Sequence, residues 1–213
     1  VGYHVLKSET KNLSCDFVIM AGGFGKRLMP LTNKIPKPLI KIKKKPMIEH
    51  IISKAKKDKF KNINVITHYK SHLIEQFVKQ KYFDVKVFKE RYPMGTIGGI
   101  KKLKLNEKFN NHTLITNCDI FTSISYSDIV NFHKSSKADM TVVTEMKKIQ
   151  SPFGNIKLSN KKVTKFEEKP EHINNVVIGI YIFRNSVLKY LKEKWIDIGN
   201  KKNLKEATKY FGK

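Results

Sequence analysis

The sequence predicts an α/β fold built around a mainly parallel sheet. Short continuous apolar runs, such as residues 16–21 and 113–116, end in loops, which is typical of buried parallel strands. Up to about residue 150 these runs alternate with segments of helical apolar spacing, as βαβ units do. Beyond residue 150, β-prone runs follow one another. We therefore expect a mixed central sheet and a β-rich C-terminal part.

The individual elements are justified by local signals. Pro46 stands at a favourable first helical position, and apolar residues recur after it at helical spacing. The segment Ser159-Asn-Lys161 separates two short strand-like runs and predicts a hairpin. Strands are predicted at residues 16–21, 62–67, 84–88, 113–116, 140–144, 155–158, 163–167 and 176–183. Helices are predicted at residues 46–55, 71–80, 96–103, 127–135 and 202–210.

Length and cysteine usage predict one intracellular domain. A chain of 213 residues suffices for one sizeable domain, whereas two would be cramped. No apolar run approaches the roughly 18–20 residues that a membrane span needs. Cys15 and Cys118 stand in apolar contexts without metal-binding spacing, so we expect buried free thiols in a reducing cytoplasm.

The net charge of +25 raises the possibility of a nucleic-acid-binding protein. The basic residues are almost all lysines spread along the chain, and arginine stands only at positions 27, 91 and 184. Phosphate and base recognition usually uses the arginine fork, so the pattern favours a solvated lysine coat without a nucleic-acid partner. A positive field would still attract a small anionic substrate.

A glycine-rich loop follows the first predicted strand. Gly22, Gly23 and Gly25 allow backbone N–H groups to approach phosphate oxygens without a Cβ in the way. The loop matches neither G-x-G-x-x-G nor the P-loop pattern, and tight turns account for many such glycine clusters. By itself the loop is weak evidence for a nucleotide site.

The residues around the loop identify a family. The stretch Ala21-Gly-Gly-Phe-Gly-Lys-Arg-Leu-Met-Pro-Leu-Thr32, with Pro36-Lys-Pro-Leu-Ile40 and Lys45-Pro-Met-Ile-Glu-His50, resembles the signature of sugar-1-phosphate nucleotidyltransferases. The resemblance spans about residues 15 to 210 and implies a Rossmann-like three-layer domain. It also implies transfer of a nucleotidyl group from a nucleoside triphosphate to a sugar 1-phosphate, with release of pyrophosphate.

The resemblance assigns roles in the first 40 residues. Ala21, Gly22, Gly23 and Gly25 would surround the nucleotide and its phosphates, and Arg27 would hold the β- and γ-phosphates. Lys37 would bridge the attacking sugar phosphate and the α-phosphate. General chemistry agrees, because an anion that attacks another anion needs cations to offset the repulsion.

Base recognition is assigned to a segment further along the chain. Gly95 and Thr96 lie in a stretch that resembles the family's nucleoside-contacting loop, with Met94 and Ile97 as departures. Glu90 aligns with a base-reading position, and a carboxylate there accepts two hydrogen bonds from N1–H and N2–H₂ of guanine. GTP is therefore favoured, while UTP and a surface role for Glu90 stay open.

Two aspartates are the expected magnesium ligands. Asp119 follows a buried strand and resembles the family's Gly-Asp motif, with Cys118 in place of the usual glycine. Asp197 resembles the second metal carboxylate of the family. Magnesium takes a few hard oxygen ligands and completes its shell with phosphate oxygens, so two carboxylates are sufficient.

The sugar 1-phosphate is assigned to the C-terminal half. Glu168 would accept hydrogen bonds from sugar hydroxyls, and Lys169 would contact the sugar phosphate, as in the family's Glu-Lys-Pro motif. Gly154 resembles the turn that approaches the sugar, and Gly179 would line the far side of the pocket.

Several alternatives stay open at this point. Within the family, the chain most resembles bacterial enzymes that act on hexose 1-phosphates with GTP or UTP. The most specific expectation is a glucosamine-1-phosphate guanylyltransferase of legionaminic acid biosynthesis, while mannose-1-phosphate and heptose-1-phosphate guanylyltransferases and uridylyltransferases stay open. A non-catalytic relative is the other alternative. Residues 1–14 are expected to be a linker or the remnant of an upstream regulatory region, with the catalytic domain at residues 15–213. Homo-oligomerisation stays open, and the histidines have no assigned role.

Overall fold

The computed structural model describes residues 13–91 and 110–189. A six-stranded mixed sheet has the order β5–β4–β1–β6–β10–β7, with β5, β4, β1 and β6 parallel and β10 antiparallel to both of its neighbours. The predicted mixed, mainly parallel sheet is confirmed. The strands are β1 (Cys15–Ala21), β2 (Lys41–Ile42), β3 (Lys45–Pro46), β4 (Ile63–Thr67), β5 (Val85–Lys89), β6 (His112–Asn117), β7 (Met140–Gln150), β8 (Asn155–Ser159), β9 (Lys162–Glu167) and β10 (Glu171–Arg184).

The helices largely begin and end where the apolar spacing predicted. They are α1 (Leu31–Lys34), α2 (Met47–Lys57), α3 (Ser71–Lys81) and α4 (Tyr126–Ser136). Helix α2 begins directly after Pro46, and the Ser125 hydroxyl caps α4 by accepting a hydrogen bond from the Asp128 N–H at 3.4 Å. The helices predicted at residues 96–103 and 202–210 lie outside the described residues.

Strand β1 lies at the centre of the core and buries both of its faces. Phe17 and Ile19 pack on one face with apolar side chains from α2, α3 and α4, and the Phe17 ring lies 4.8 Å from those of Phe60 and Tyr126. Val18 packs on the other face with strand residues that include Ile66. This explains the uninterrupted apolar run, because a central parallel strand has no solvent-facing side.

The parallel strands end at one edge of the sheet, called here the carboxyl edge. Ala21 of β1 pairs with Thr67 of β4, and Thr67 pairs with Lys89 of β5. On the other side of β1, Met20 pairs with Asn117 at the end of β6. Residues that follow these four strands therefore lie together although they are far apart in the sequence, as at the ligand sites of open α/β sheets.

The C-terminal strands form an exposed arm, called here the β-ribbon and defined as residues 144–177. Strand β7 runs six residues beyond its predicted end at 144, and β10 begins five residues before its predicted start at 176. The predicted hairpin is confirmed, with Asn160 and Lys161 at φ 49° and 65°, the left-handed values of a tight hairpin turn. The outer parts of β7 and β10 are held by backbone hydrogen bonds between the two strands and are mostly exposed. The apolar pattern therefore predicted strands that are too short.

Both cysteines are buried and unbonded to one another, as predicted. Burial raises the pKa of the Cys15 thiol to about 12 and that of the Cys118 thiol to about 12, so both stay protonated at neutral pH. Among the helices of residues 13–91 and 110–189, none is long and apolar enough to cross a membrane.

A buried histidine makes stability depend on pH. His133 of α4 is 1% exposed, its Nδ1 lies 2.8 Å from Thr141 Oγ1, and burial, followed by the nearby charges, lowers its pKa. Because the pKa of His133 is lower in the folded protein, the unfolded chain binds more protons than the folded chain as the pH falls from 7 to 5. The free energy of unfolding therefore decreases. Urea titrations should show this slope flattened in His133→Asn. His72→Asn, at an exposed position, should keep it; equal slopes in all three proteins would contradict the prediction.

Candidate functional site

The glycine loop takes a conformation that requires glycine at one position. Gly25 has φ +65°, and a Cβ on it would lie 2.7 Å from Thr32 Cγ2. The Thr32 hydroxyl donates a hydrogen bond to the Gly25 carbonyl at 3.0 Å. Gly22 is partly buried, whereas Gly23 is exposed with nothing near its Cβ position. Arg27 follows in an exposed 3₁₀ turn.

Lys37 lies directly beside this loop, and a proline precedes and follows it in the sequence. Pro36 and Pro38 are buried, which fixes the backbone of the lysine between them. Lys37 Cβ lies 3.3 Å from the Cβ position of Gly25. Its ammonium group donates to the Asp119 carboxylate across 82 residues of sequence. The structure therefore brings together the glycine loop and two of the residues singled out from the sequence.

Asp119 is positioned by the end of β6. The Cys118 N–H donates to the Met20 carbonyl at 3.1 Å, which ties the first residues after β6 to β1. Cys118 is buried, so the side chain that replaces the family's usual glycine is accommodated in the core. Gly179 of β10 lies nearby, since its φ is +82° and a Cβ there would be 2.6 Å from Asn117 Nδ2.

Glu90 is not a surface residue. It is 5% exposed, and its N–H donates to the Thr67 carbonyl at 2.8 Å. Its Oε2 atom lies 3.4 Å from the Cβ position of Gly22, and its carbonyl lies 3.1 Å from His68 Nδ1. The carboxylate therefore lies at the carboxyl edge against the glycine loop, where the base-reading prediction requires it.

The remaining described residues of the predicted site form a second group on the β-ribbon. A Cβ on Gly154 would lie 2.8 Å from Glu168 Oε2, so these two residues are neighbours, and the adjacent Lys169 is exposed. Gly179 and Glu171 are eight positions apart in β10, which corresponds to about 26 Å in an extended strand. The two groups are thus connected by the ribbon and carried by different parts of the fold.

Three predicted residues lie outside the described ranges, namely Gly95, Thr96 and Asp197. Within residues 13–91 and 110–189, no group of three or more His, Cys, Asp or Glu side chains is placed to hold a metal ion. Asp119 is the described member of the predicted magnesium pair, and its side chain is 31% exposed.

Sequence reasoning missed the residues that support the glycine loop. Thr32 is fully buried under Gly25, and His68 and Tyr69 follow β4 at the carboxyl edge. The Tyr69 hydroxyl donates to the Thr32 carbonyl at 3.2 Å. The rule that ligand sites lie beyond the ends of parallel strands applies to β4 as well as to β1, and it would have indicated these residues.

The chain matches the model of a known protein family. The family model described as nucleotidyl transferase matches residues 17–212. The chain belongs to the nucleotidyl transferase family. That match includes the glycine loop, Lys37 and the segment that carries Asp119, and it extends over residues 92–109 and 190–212, which the structure does not describe.

Guanylyltransferases are among the relatives of this family member. The chain is 32% identical over 183 residues to the mannose-1-phosphate guanyltransferase of Yarrowia lipolytica, covering 80% of the chain and 50% of that protein. It is 28% identical over 173 residues to the D-glycero-alpha-D-manno-heptose 1-phosphate guanylyltransferase of Aneurinibacillus thermoaerophilus, covering 80% and 75%. The chain spans about half the length of the first relatives it matches.

A solved structure supports the fold. HddC from Yersinia pseudotuberculosis superimposes with a TM-score of 0.64 at 21% sequence identity, covering 92% of this chain and 99% of that one. The mixed sheet of the nucleotidyl transferase is therefore shared with a protein of low sequence identity.

Gly25, which has a left-handed backbone conformation, and Gly23, which is exposed, give a matched pair of variants. Gly25→Ala places a methyl group 2.7 Å from Thr32 Cγ2 in a left-handed conformation that alone costs about 1–2 kcal/mol for other residues. Gly23→Ala meets nothing within 4 Å. Urea unfolding should show a clear loss of stability for Gly25→Ala and a change within about 0.5 kcal/mol for Gly23→Ala. Equal stabilities of the two variants would contradict the described loop conformation.

Proposed function

We propose that this nucleotidyl transferase transfers a guanylyl group from GTP to a sugar 1-phosphate. A sugar-phosphate oxygen bonds to the α-phosphorus, the bond between the α- and β-phosphates breaks, and pyrophosphate leaves. The observation that carries the proposal is the Lys37–Asp119 contact beside the glycine loop, at the edge where open α/β sheets bind ligands. The names of the guanylyltransferase relatives support the choice of GTP.

The placement of Lys37 suits an attack of one phosphate on another. Its ammonium is partly buried, and its backbone is fixed between two buried prolines, so little entropy is lost when it contacts substrate. In the reaction Lys37 would contact the attacking sugar phosphate and the α-phosphate together. A cation there offsets the repulsion between the two anions and stabilises charge as it develops.

The glycine loop and Arg27 would hold the rest of the triphosphate. The absence of a Cβ at Gly22 and Gly23 leaves the backbone N–H groups accessible to phosphate oxygens. Arg27 is exposed in the turn that follows, where its guanidinium can bind the β- and γ-phosphates with two hydrogen bonds. In this arrangement the residues after β1 bind the leaving pyrophosphate.

Guanine selection is assigned to Glu90. The carboxylate is buried against Gly22, so a base that it binds would be held in a site with little water. A carboxylate there accepts from both N1–H and N2–H₂ of guanine, and uracil lacks a matching pair of donors. UTP is therefore the disfavoured alternative.

Asp119 has the chemistry of a magnesium ligand. Its carboxylate is partly exposed at the carboxyl edge, and carboxylate oxygens are the ligands that magnesium prefers. One or two carboxylates suffice when phosphate oxygens and water complete the shell, so Asp119 and Asp197 are the proposed ligands. Bound magnesium would supply positive charge to the triphosphate. Asp119 also orients the Lys37 ammonium by accepting its hydrogen bond.

The sugar is assigned to Gly154, Glu168, Lys169 and Gly179. Glu168 lies against Gly154, so a hydroxyl-bearing ligand could approach the glycine backbone and the carboxylate together. The product would serve bacterial glycan biosynthesis, with the nonulosonic (legionaminic) acid pathway as the specific case.

The proposal is tested by pyrophosphate release. GTP, UTP, CTP, ATP and dTTP are each combined with glucosamine 1-phosphate, mannose 1-phosphate and heptose 1-phosphate, with magnesium and with EDTA. We expect turnover with GTP and at least one sugar 1-phosphate in magnesium. No turnover with any pair would contradict the enzymatic function, and a glucosamine 1-phosphate preference would support the legionaminic acid assignment.

Lys37 and Lys56 form a matched pair of ion-paired lysines. Lys37→Met should lower kcat by about 100- to 1,000-fold, the range for loss of one group that stabilises transition-state charge. Lys56 donates to Asp84 at 2.5 Å on an exposed surface, so Lys56→Met removes a comparable pair away from the site. Asp119→Asn should abolish magnesium-dependent turnover with little change in melting temperature. Near-normal rates for Lys37→Met would remove Lys37 from the reaction.

Glu90→Gln tests the reading of the base. The amide keeps the size of the side chain but cannot accept both guanine hydrogen bonds, so GTP discrimination over ATP and UTP should fall about 10- to 100-fold. Glu49→Gln is the control, because Glu49 is a buried acid of α2 that accepts from Lys81 at 2.7 Å. The measurement is the ratio of kcat/KM for GTP to that for ATP and for UTP in each variant. An unchanged ratio in Glu90→Gln would show that another group selects the base.

A further inference from the structure

The turn between β4 and α3 contacts several residues of the segment 22–34, which contains the glycine loop and α1. It consists of His68, Tyr69 and Lys70, and Lys70 has φ +47°, an uncommon conformation for a lysine. The Tyr69 N–H donates to the Gly22 carbonyl at 3.4 Å, where the loop begins. The turn therefore meets the loop at its first residue after β1.

The phenol of Tyr69 forms a hydrogen bond with the segment that follows the glycine loop. It donates to the Thr32 carbonyl at 3.2 Å, and the Thr32 hydroxyl in turn donates to the Gly25 carbonyl at 3.0 Å. Two hydrogen bonds thus join the phenol to Gly25 through Thr32.

Aromatic and cationic contacts complete the attachment. The ring of Phe24, which is otherwise exposed, lies 5.3 Å from the ring of Tyr69 and 5.7 Å from that of His68. The Lys70 ammonium donates to the carbonyls of Asn33 at 2.5 Å and Lys34 at 3.1 Å, at the end of α1. The turn formed by residues 68–70 therefore contacts the beginning, the middle and the end of the segment 22–34.

We propose that Tyr69 is a positioning residue for the nucleoside triphosphate, acting through Thr32 and Gly25. The inference rests on the proposed nucleotidyl transfer, because it assigns the triphosphate to this loop. Backbone N–H groups bind phosphate well only when the loop is already in the binding conformation. Tyr69 holds that conformation without touching the substrate, and its hydroxyl is the part that reaches the loop.

The position of Tyr69 predicts an effect on one substrate only. Its contacts are with Gly22, Phe24 and Thr32, in the segment assigned to the triphosphate, whereas Glu168 and Lys169, which are assigned to the sugar 1-phosphate, lie on the β-ribbon. Loss of the phenol should therefore loosen the triphosphate site and leave the sugar site unchanged. A residue that merely supported the fold would weaken both substrates together and lower the melting temperature.

The first experiment compares two conservative variants. Tyr69→Phe keeps the ring against Phe24 and removes only the hydrogen bond to Thr32. Tyr82→Phe is the control, since the Tyr82 hydroxyl lies 3.4 Å from Ser53 Oγ on an exposed surface. We expect Tyr69→Phe to raise KM for GTP about three- to tenfold, the range for one neutral hydrogen bond, with KM for the sugar 1-phosphate within twofold of wild type. Tyr82→Phe should match wild type in both constants.

A double-mutant cycle tests the route through Thr32. Thr32→Val removes the hydroxyl that donates to Gly25 but keeps the backbone carbonyl that accepts from Tyr69. If Tyr69 acts through Thr32, the Tyr69→Phe/Thr32→Val variant should raise KM for GTP by less than the product of the two single effects. Multiplicative effects would overturn this route.

Binding measurements separate this inference from the proposed function. Calorimetric titration with a non-hydrolysable GTP analogue should give a three- to tenfold higher Kd for Tyr69→Phe, whether or not turnover is observed. Equal Kd values, or equal increases in both KM values together with a lower melting temperature, would overturn the positioning role. Failure of wild type to turn over any substrate pair, with intact analogue binding, would contradict the proposed function alone.

Discussion

The close packing at Gly25 is the constraint on which the rest of the site depends. Its left-handed backbone and missing Cβ allow Thr32 to lie beneath it and Lys37 to lie beside it. A side chain at this position would displace one of these neighbours, because the space is occupied to within 2.7 Å. A shift of the Lys37 backbone would change the position of its ammonium group relative to Asp119. The alignment of the proposed catalytic lysine thus follows from a glycine twelve positions earlier in the chain.

The order of the strands explains how distant residues reach that position. β1 lies between β4 and β6, so the loops after β1, β4 and β6 are neighbours at the carboxyl edge. Glu90 comes from β5, one strand further out, and its carboxylate reaches Gly22. Since parallel strands all end on the same side, each βα connection contributes a side chain to one site. The alternation of strands and helices is therefore also the pattern that assembles the site.

The sequence predicted those parts of the structure that have local signals. Apolar runs predicted β1, β4 and β6, and the motifs of the glycine loop and of the segment around Lys37 resemble those of the family. It did not predict the length of β7 and β10, because their outer halves are held by ladder hydrogen bonds and carry polar residues on exposed faces. It also did not predict the role of Tyr69, since a hydrogen bond from a side chain to a backbone carbonyl 37 residues away leaves no periodic pattern. Asp119 was singled out by its resemblance to the family's Gly-Asp motif at the end of a strand, but its contact with Lys37 required the fold.

The division of the site between two parts of the fold has a physical consequence. Among the residues assigned to the triphosphate, Gly25 lies against the buried Thr32 and Glu90 is itself buried, so substitutions at these two positions act on packing as well as on binding. Of the residues assigned to the sugar, Glu168 and Lys169 lie on the β-ribbon, where most side chains are exposed and a substitution has little effect on packing, whereas Gly179 is packed against Asn117. Under the proposed function, this arrangement allows the sugar specificity to change while the triphosphate chemistry stays constant. It also explains why the signature residues identified the chemistry more readily than the sugar.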